Sequence, residues 1–151
     1  MAVPRRIRQY LTFHDVPFKT IESRGTDPGR AALPACLRGR RVAKSLVIRT
    51  EDGYLMLVVP RDKSVAPEHL SRRLQMPYCR LAKASEIAQI FSDCEGGAVP
   101  ALGNLYNLPV VLDKSLERDQ DICIPAGSPD DLVMMRACDF AELTQAAVVE
   151  I

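Results

Sequence analysis

Arg41-Val42-Ala43-Lys44-Ser45-Leu46-Val47-Ile48-Arg49-Thr50 is the stretch on which the reading of this chain turns. Its apolar, partly β-branched run predicts a strand buried on at least one face. Side chains alternate along a strand, so Lys44 shares a face with Val42, Leu46 and Ile48, while Ala43, Ser45 and Val47 point the other way. A lysine aligned with a core face is costly unless its ammonium reaches water or an anionic partner. Two readings follow. Lys44 sits near the strand's start and snorkels to solvent, or rigid backbone holds it at the mouth of a pocket that takes a negative or polarised substrate.

Outward from this strand, the pattern on its C-terminal side is a hairpin. Glu51-Asp52-Gly53 is a compact turn, Tyr54–Val59 returns antiparallel, and Pro60 ends it. Pro67 can open a helix carrying His69, Leu70 and Leu74, with Arg72 and Arg73 outward. Residues 79–81 predict a short strand, and Ile87, Ile90 and Phe91 sit at helical spacing in a helix over 84–91. On the N-terminal side, Pro4 suits a first helical turn, and Ile7, Tyr10, Leu11 and His14 fall at i, i+3, i+4 and i+7. A strand is expected at Phe18–Glu22. Residues 23–41 then change character: Gly25, Pro28, Gly29, Pro34 and Gly39 interrupt them, and Arg24, Arg30, Arg38, Arg40 and Arg41 face a single acid, Asp27. A short broken helix fits Ala31–Leu37. The segment is either a solvated connection or a basic lip beside the Lys44 strand.

A second informative stretch is Gly96-Gly97-Ala98-Val99-Pro100-Ala101-Leu102-Gly103. Three glycines and a proline make a loop whose backbone can bend sharply and approach a ligand closely. Loop N–H groups aimed at one point can stabilise an oxyanion, at about 3 kcal/mol per donor. The plainer reading is a glycine-rich connection between helix and strand. The phosphate-binding pattern G-x-x-x-x-G-K-[ST] and the dinucleotide pattern G-x-G-x-x-G are both absent. Beyond the loop, 108–112 and 121–124 predict strands, Gly127–Asp130 a turn and Leu132–Met135 another strand. Asp139-Phe140-Ala141-Glu142 has the form of a capping box, which predicts a last helix over 140–146. Together these elements predict an α/β (α+β) domain over residues 1–151, around a mixed, largely antiparallel, barrel-like sheet flanked by helices.

Composition narrows the functional classes. With 47% hydrophobic and 26% charged residues the chain has ordinary globular values, and no run approaches the ~20 apolar residues of a membrane span. The first seven residues lack a secretory apolar region, which predicts a cytoplasmic protein. Cys36, Cys79, Cys94, Cys123 and Cys138 are scattered and odd in number, and His14 and His69 are isolated, so neither a zinc site nor a disulfide framework is expected. Residues 1–75 carry 15 Lys/Arg against 7 Asp/Glu, a net +8, and residues 76–151 carry 5 against 12, a net −7. Such asymmetry fits a polyanionic partner, usually nucleic acid, or two halves that neutralise one another on folding. No Ser-His-Asp set or paired carboxylates stand at convincing spacing, so a conventional hydrolase mechanism has few candidates.

Val42-Ala43-Lys44-Ser45-Leu46, the loop Gly96–Gly103, Pro109-Val110-Val111-Leu112-Asp113 and the late Ala126-Gly127-Ser128 together resemble the YbaK/prolyl-tRNA-synthetase-associated domain. The match runs in order over nearly the whole chain. Each motif is short, and their succession is what makes the resemblance specific. It implies a trans-editing deacylase that hydrolyses the ester of a mischarged tRNA, such as Ala or Cys on tRNA-Pro, without a cofactor or metal. The alternative within the same fold is a non-catalytic module that binds tRNA or a synthetase. The implied partners are the acceptor end of aminoacyl-tRNA and an aminoacyl-tRNA synthetase, with no membrane and no DNA. The resemblance also implies roles for single residues. Lys44 takes the position of the family's functional lysine, and Gly96, Gly97, Ala98, Val99 and Pro100 form its G-x-x-x-P loop against the ester. Ser45, Thr26, Gly127 and Ser128 would contact substrate, and Arg30, Arg38, Arg40 and Arg41 would hold tRNA phosphates. Where the family has a threonine/serine-rich segment before the lysine, this chain has Thr26-Asp27-Pro28-Gly29-Arg30-Ala31-Ala32, in which Thr26 alone corresponds.

Overall fold

The computed structural model describes residues 5–22, 41–94, 99–117, 121–127 and 131–151. Helix α1 (Arg5–Phe13) leads into strand β1 (Lys19–Glu22). The central hairpin is β2 (Arg41–Thr50) and β3 (Gly53–Pro60), paired from Ala43↔Pro60 down to Thr50↔Gly53 across a two-residue turn. Gly53 takes φ +137, a backbone region that a side chain would strain. Helix α2 (Pro67–Leu74), strand β4 (Cys79–Leu81) and helix α3 (Ala84–Ile90) follow. The later half supplies β5 (Val110–Asp113), β6 (Asp121–Pro125), β7 (Asp131–Arg136), α4 (Ala137–Thr144) and β8 (Ala147–Val149).

The eight strands form one sheet in the order β1-β7-β6-β2-β3-β5-β8, with β4 attached to β2 off this path. Pairing is antiparallel for β1/β7, β6/β7, β2/β3 and β2/β4, and parallel for β2/β6, β3/β5 and β5/β8. This is the mixed, mostly antiparallel α/β architecture that the sequence predicts.

Strand alternation sorts the apolar side chains into two clusters. Ala43 and Val47 of β2 join Met56, Val58, Val110, Leu112, Ile122, Ile124 and Phe140 in the main core. Ile48, Leu55, Leu57, Val59, Leu70 and Val111 form a second cluster under α2, with Leu46 packed against it. β2 and β3 are thus covered on both faces, which explains their near-continuous apolar sequences. Each fully buried Leu or Ile contributes roughly 2 kcal/mol. Chain halves of opposite net charge interleave through β2/β6 and β3/β5, and Arg6–Asp93 (3.9 Å) and Lys63–Asp113 (3.1 Å) are ion pairs between them. Neutralisation on folding therefore accounts for part of the charge asymmetry.

Three local expectations differ from the structure. α1 buries Ile7 and Leu11, but His14 falls beyond its last turn and is exposed. α4 begins at Ala137, not at Phe140, and its N-cap is Arg136 without a side-chain cap. Asp139 does not cap because its carboxylate accepts from Arg136 Nε and Nη2 at 3.2 and 3.3 Å. Strand β8 escaped the sequence reading because three residues carry too little alternation, and parallel pairing to β5 is what defines it. The broken helix expected at 31–37 lies outside the described residues.

Candidate functional site

The site follows from how β2 is shared. One of its edges is covered along its length by β3. On the other edge β6 pairs only Arg41 and Val42, and β4 only Ile48, Arg49 and Thr50. Between them the sheet splits. The alternation of the antiparallel ladder turns even-numbered residues of β2 toward β3 and odd-numbered ones toward the split. Two bonds fix that phase: the Arg61 N–H donates to the Val42 carbonyl on the β3 side, and the Ala82 N–H to the Val47 carbonyl on the β4 side, both 2.8 Å. The backbone groups of Ser45 therefore face the gap. Its hydroxyl oxygen is buried and has no hydrogen-bond partner among the described residues.

The segments around this gap include those singled out from sequence. The Ala101 N–H donates to the Pro125 carbonyl (3.1 Å), which fastens the end of the glycine–proline loop to the end of β6. β6 runs parallel to β2 at Arg41↔Ile122 and Val42↔Cys123 and parts from it beyond Val42, and Ala126 joins Ala43 and Val47 in the main core. Pro100, Ala101, Ala126 and Gly127 are all buried, and Val99 packs against the main core. Gly127 has φ +87, which favours glycine. Gly103 has a different reason to be glycine. A Cβ there would lie 2.8 Å from the Met56 Cβ, so it serves close packing of the loop end on β3.

Lys44 sits on the opposite face of β2, with Leu46, Ile48 and its cross-strand partner Val59. It is half-buried, and its ammonium has no ion pair or hydrogen bond among the described residues. The structure thus ties the end of the Val99–Ala101 segment to Pro125, two residues before Gly127, and sets Ser45 and Lys44 on opposite faces of the stretch of β2 between its β6 and β4 pairings. Of the remaining expected residues, Arg41 lies in β2 by its backbone, and Thr26, Arg30, Arg38, Arg40, Gly96, Gly97, Ala98 and Ser128 lie outside the described residues. The split itself was invisible in sequence, because it depends on where two distant strands stop pairing.

Other chemistry is sparse. Among the described residues no three of His, Cys, Asp or Glu converge to hold a metal. Burial pushes the Cys94 thiol up to about 11, and the Tyr106 hydroxyl, 3.4 Å from its Sγ, does not offset this. Cys94 is therefore a poor nucleophile. A cleft of about 560 Å³ lies between α1 and α4, lined by Tyr10, His14, Asn104 and Glu142 among others, away from Ser45 and Pro100. No helix among the described residues is long and apolar enough to cross a membrane.

This mixed-sheet fold is shared with solved structures. One is a crystal structure of a candidate trans-editing enzyme for prolyl-tRNA synthetase, at 23% identity and TM-score 0.72 over 97% of this chain and 94% of that one. Another is a scaffold protein from computational grafting of linear epitopes, at 20% identity and TM-score 0.78 over 97% and 94%. A third is a candidate signal-transduction protein from Marinobacter aquaeolei VT8, at 23% identity and TM-score 0.72, where 99% of this chain matches 31% of that chain. At these identities the likeness establishes the fold. Comparison with curated protein sequences gives no match. Family assignment comes from the sequence profile: residues 29–143 match the aminoacyl-tRNA editing domain, and the chain belongs to that family.

Proposed function

We propose that this chain is a trans-editing deacylase that hydrolyses the ester joining a small non-cognate amino acid to the 3′ end of a tRNA, with alanine or cysteine on tRNA-Pro as the first substrates to test. The observation that supports the reading is the gap along β2 at Ser45, between the points where β6 and β4 pair, together with the bond from the Ala101 N–H to the Pro125 carbonyl that ties the glycine–proline loop to the end of β6. An aminoacyl ester is already activated, and the neighbouring ribose hydroxyl can assist the attacking water. Such a substrate needs orientation and oxyanion stabilisation more than a protein nucleophile. Backbone N–H groups of the 96–100 loop are the proposed oxyanion donors. Thr26, Ser45, Gly127 and Ser128 are the proposed contacts to the aminoacyl group, and Arg30, Arg38, Arg40 and Arg41 the proposed contacts to tRNA phosphates. Lys44 supplies the cation. Its long stem starts at the rim of the split, so an ammonium rooted on one face can reach an ester held at the other. A second sieve of this kind has a purpose, since a synthetase pocket rejects a slightly smaller amino acid only weakly.

A panel of mischarged tRNAs offered to wild type and Lys44→Ala tests the proposal. Wild type is expected to release the amino acid from at least one member, and Lys44→Ala to lose at least a hundredfold in rate with unchanged thermal unfolding. Wild-type inactivity over the whole panel, or a folded Lys44→Ala protein within twofold of wild type, overturns it.

A further inference from the structure

At the far end of β2 one arginine is ion-paired and, among the described residues, its cross-strand neighbour is not, and the unpaired one points to a ligand. Arg49 and Arg80 are direct cross-strand partners in the β2/β4 ladder, and like charges so placed repel. An anion should lie between or beside them. Glu86, at the start of α3, is the carboxylate that pairs with Arg80, accepting from its Nη1 at 2.8 Å and its Nη2 at 3.3 Å. Arg80 Nε donates to the Tyr78 hydroxyl at 3.1 Å, and Nη1 also donates to the Leu81 carbonyl, so four of the five N–H donors of this guanidinium are engaged. Glu86 also accepts from the Lys83 N–H at 2.9 Å and from the Tyr54 hydroxyl, which donates to Oε2. These bonds hold the Glu86 carboxyl down to about 2, Arg80 contributing most, so it stays ionised and committed to Arg80.

Arg49 receives none of this. Its guanidinium lies over the ring of Tyr54, 4.8 Å from the centroid, and it has no carboxylate partner among the described residues. Register explains the stacking, because Arg49 and Tyr54 form a non-hydrogen-bonded pair, whose side chains approach most closely. A guanidinium laid on a ring keeps its N–H edge clear, and that edge is what phosphate oxygens take bidentately. Tyr54 is in turn held by Glu86, so the platform is fixed before any ligand arrives.

We infer that Arg49, stacked on Tyr54, is a phosphate-binding site that holds the backbone of the RNA strand whose 3′ end enters the gap beside Ser45. The assignment rests on the editing reading for the identity of the strand. Arg49 shares a sheet face with Ser45 and lies four residues along β2, about 13 Å at the rise of a strand. That span suits the last few nucleotides of a single-stranded acceptor end.

The test is equilibrium binding of an uncharged acceptor-stem RNA across a salt series, so hydrolysis plays no part. Arg49→Gln is expected to weaken binding several-fold and to lower the slope of log affinity against log salt by about one. Arg49→Lys keeps the charge and is expected to keep the slope while losing part of the affinity, which separates loss of a contact from loss of folding. In a methylphosphonate scan of the 3′ strand, wild type is expected to be weakened at one neutralised phosphate and Arg49→Gln to be insensitive there. Equal slopes for wild type and Arg49→Gln, identical scans for the two proteins, or no RNA binding by wild type overturn the inference. The panel of mischarged tRNAs reads the other proposal separately. Inactive wild type that still shows the Arg49-dependent slope removes the deacylase and leaves this site, and active wild type with equal slopes does the reverse.

Discussion

Asp113 and Ser45 are both polar side chains set into strands of the central sheet, and they are treated in opposite ways. Asp113, 1% exposed at the end of β5, has a partner for each oxygen. Lys63 Nζ donates at 3.1 Å and the Ser115 hydroxyl at 3.0 Å to Oδ2, and the N–H groups of Ile151 and Ser115 reach Oδ1 at 3.4 and 3.5 Å. Burial alone would raise its carboxyl. Lys63, the Ile151 amide and Ser115 outweigh that and hold it below the ordinary carboxylate value. Ser45 has a buried hydroxyl with no partner among the described residues and backbone groups turned to a gap. A polar group satisfied from every side ties structure together, and one left unsatisfied at a split in a sheet is placed for something that arrives later.

The largest effect that would break this comparison is on stability at Asp113. Asp113→Ala strands the Lys63 ammonium and two backbone donors, and it is expected to destabilise the fold by about 3 kcal/mol in denaturant unfolding. A loss below about 1 kcal/mol would show that the bonds around Asp113 are incidental. Acid should act through the same group. Its folded-state carboxyl lies below the ordinary 3.8, so its contribution is present above that value and is lost as pH falls through the lower folded value. The unfolding-midpoint difference between wild type and Asp113→Asn is therefore expected to be constant from pH 7 to 5 and to shrink below about 3.8. A difference that grows on acidification would assign the bonds to a protonated carboxyl.

Much of this arrangement was legible in the chain. The Arg41–Thr50 run, its hairpin partner and the helices at Pro67 and Ala84 carry local signals of period, turn and proline that tertiary packing did not override. Lys44 stood out because its face could be assigned by alternation alone, and that face is the one observed. What stayed hidden depends on long-range pairing. Nothing local marks Ser45 as the point where β4 and β6 diverge, or Pro125 as the anchor of the loop at Ala101. Arg49 was hidden for the same reason, since its surplus charge exists only once Glu86 has been taken by Arg80. Asp139 misled because a carboxylate at capping spacing also satisfies an arginine three residues before it.

The smallest expected effect separates the two polar sites most sharply. Removing a buried hydroxyl that has no partner costs the fold nothing and relieves its desolvation, whereas removing a bonded one leaves a partner stranded. Ser45→Ala is therefore expected to leave stability unchanged within about 0.5 kcal/mol or to raise it slightly, the reverse of Asp113→Ala. If the Ser45 hydroxyl contacts the aminoacyl group during editing, the same change should lower kcat/KM for a mischarged tRNA by roughly fivefold, about 1 kcal/mol of transition-state stabilisation. Activity must fall without a fall in stability, because a residue retained for function and not for stability shows that separation when it is replaced. A Ser45→Ala protein that loses stability would mean that its hydroxyl is bonded in the fold after all. A protein with unchanged stability and unchanged kcat/KM would reduce Ser45 to a tolerated orphan and move the site's polar contacts to the backbone of Val99–Ala101 and Gly127.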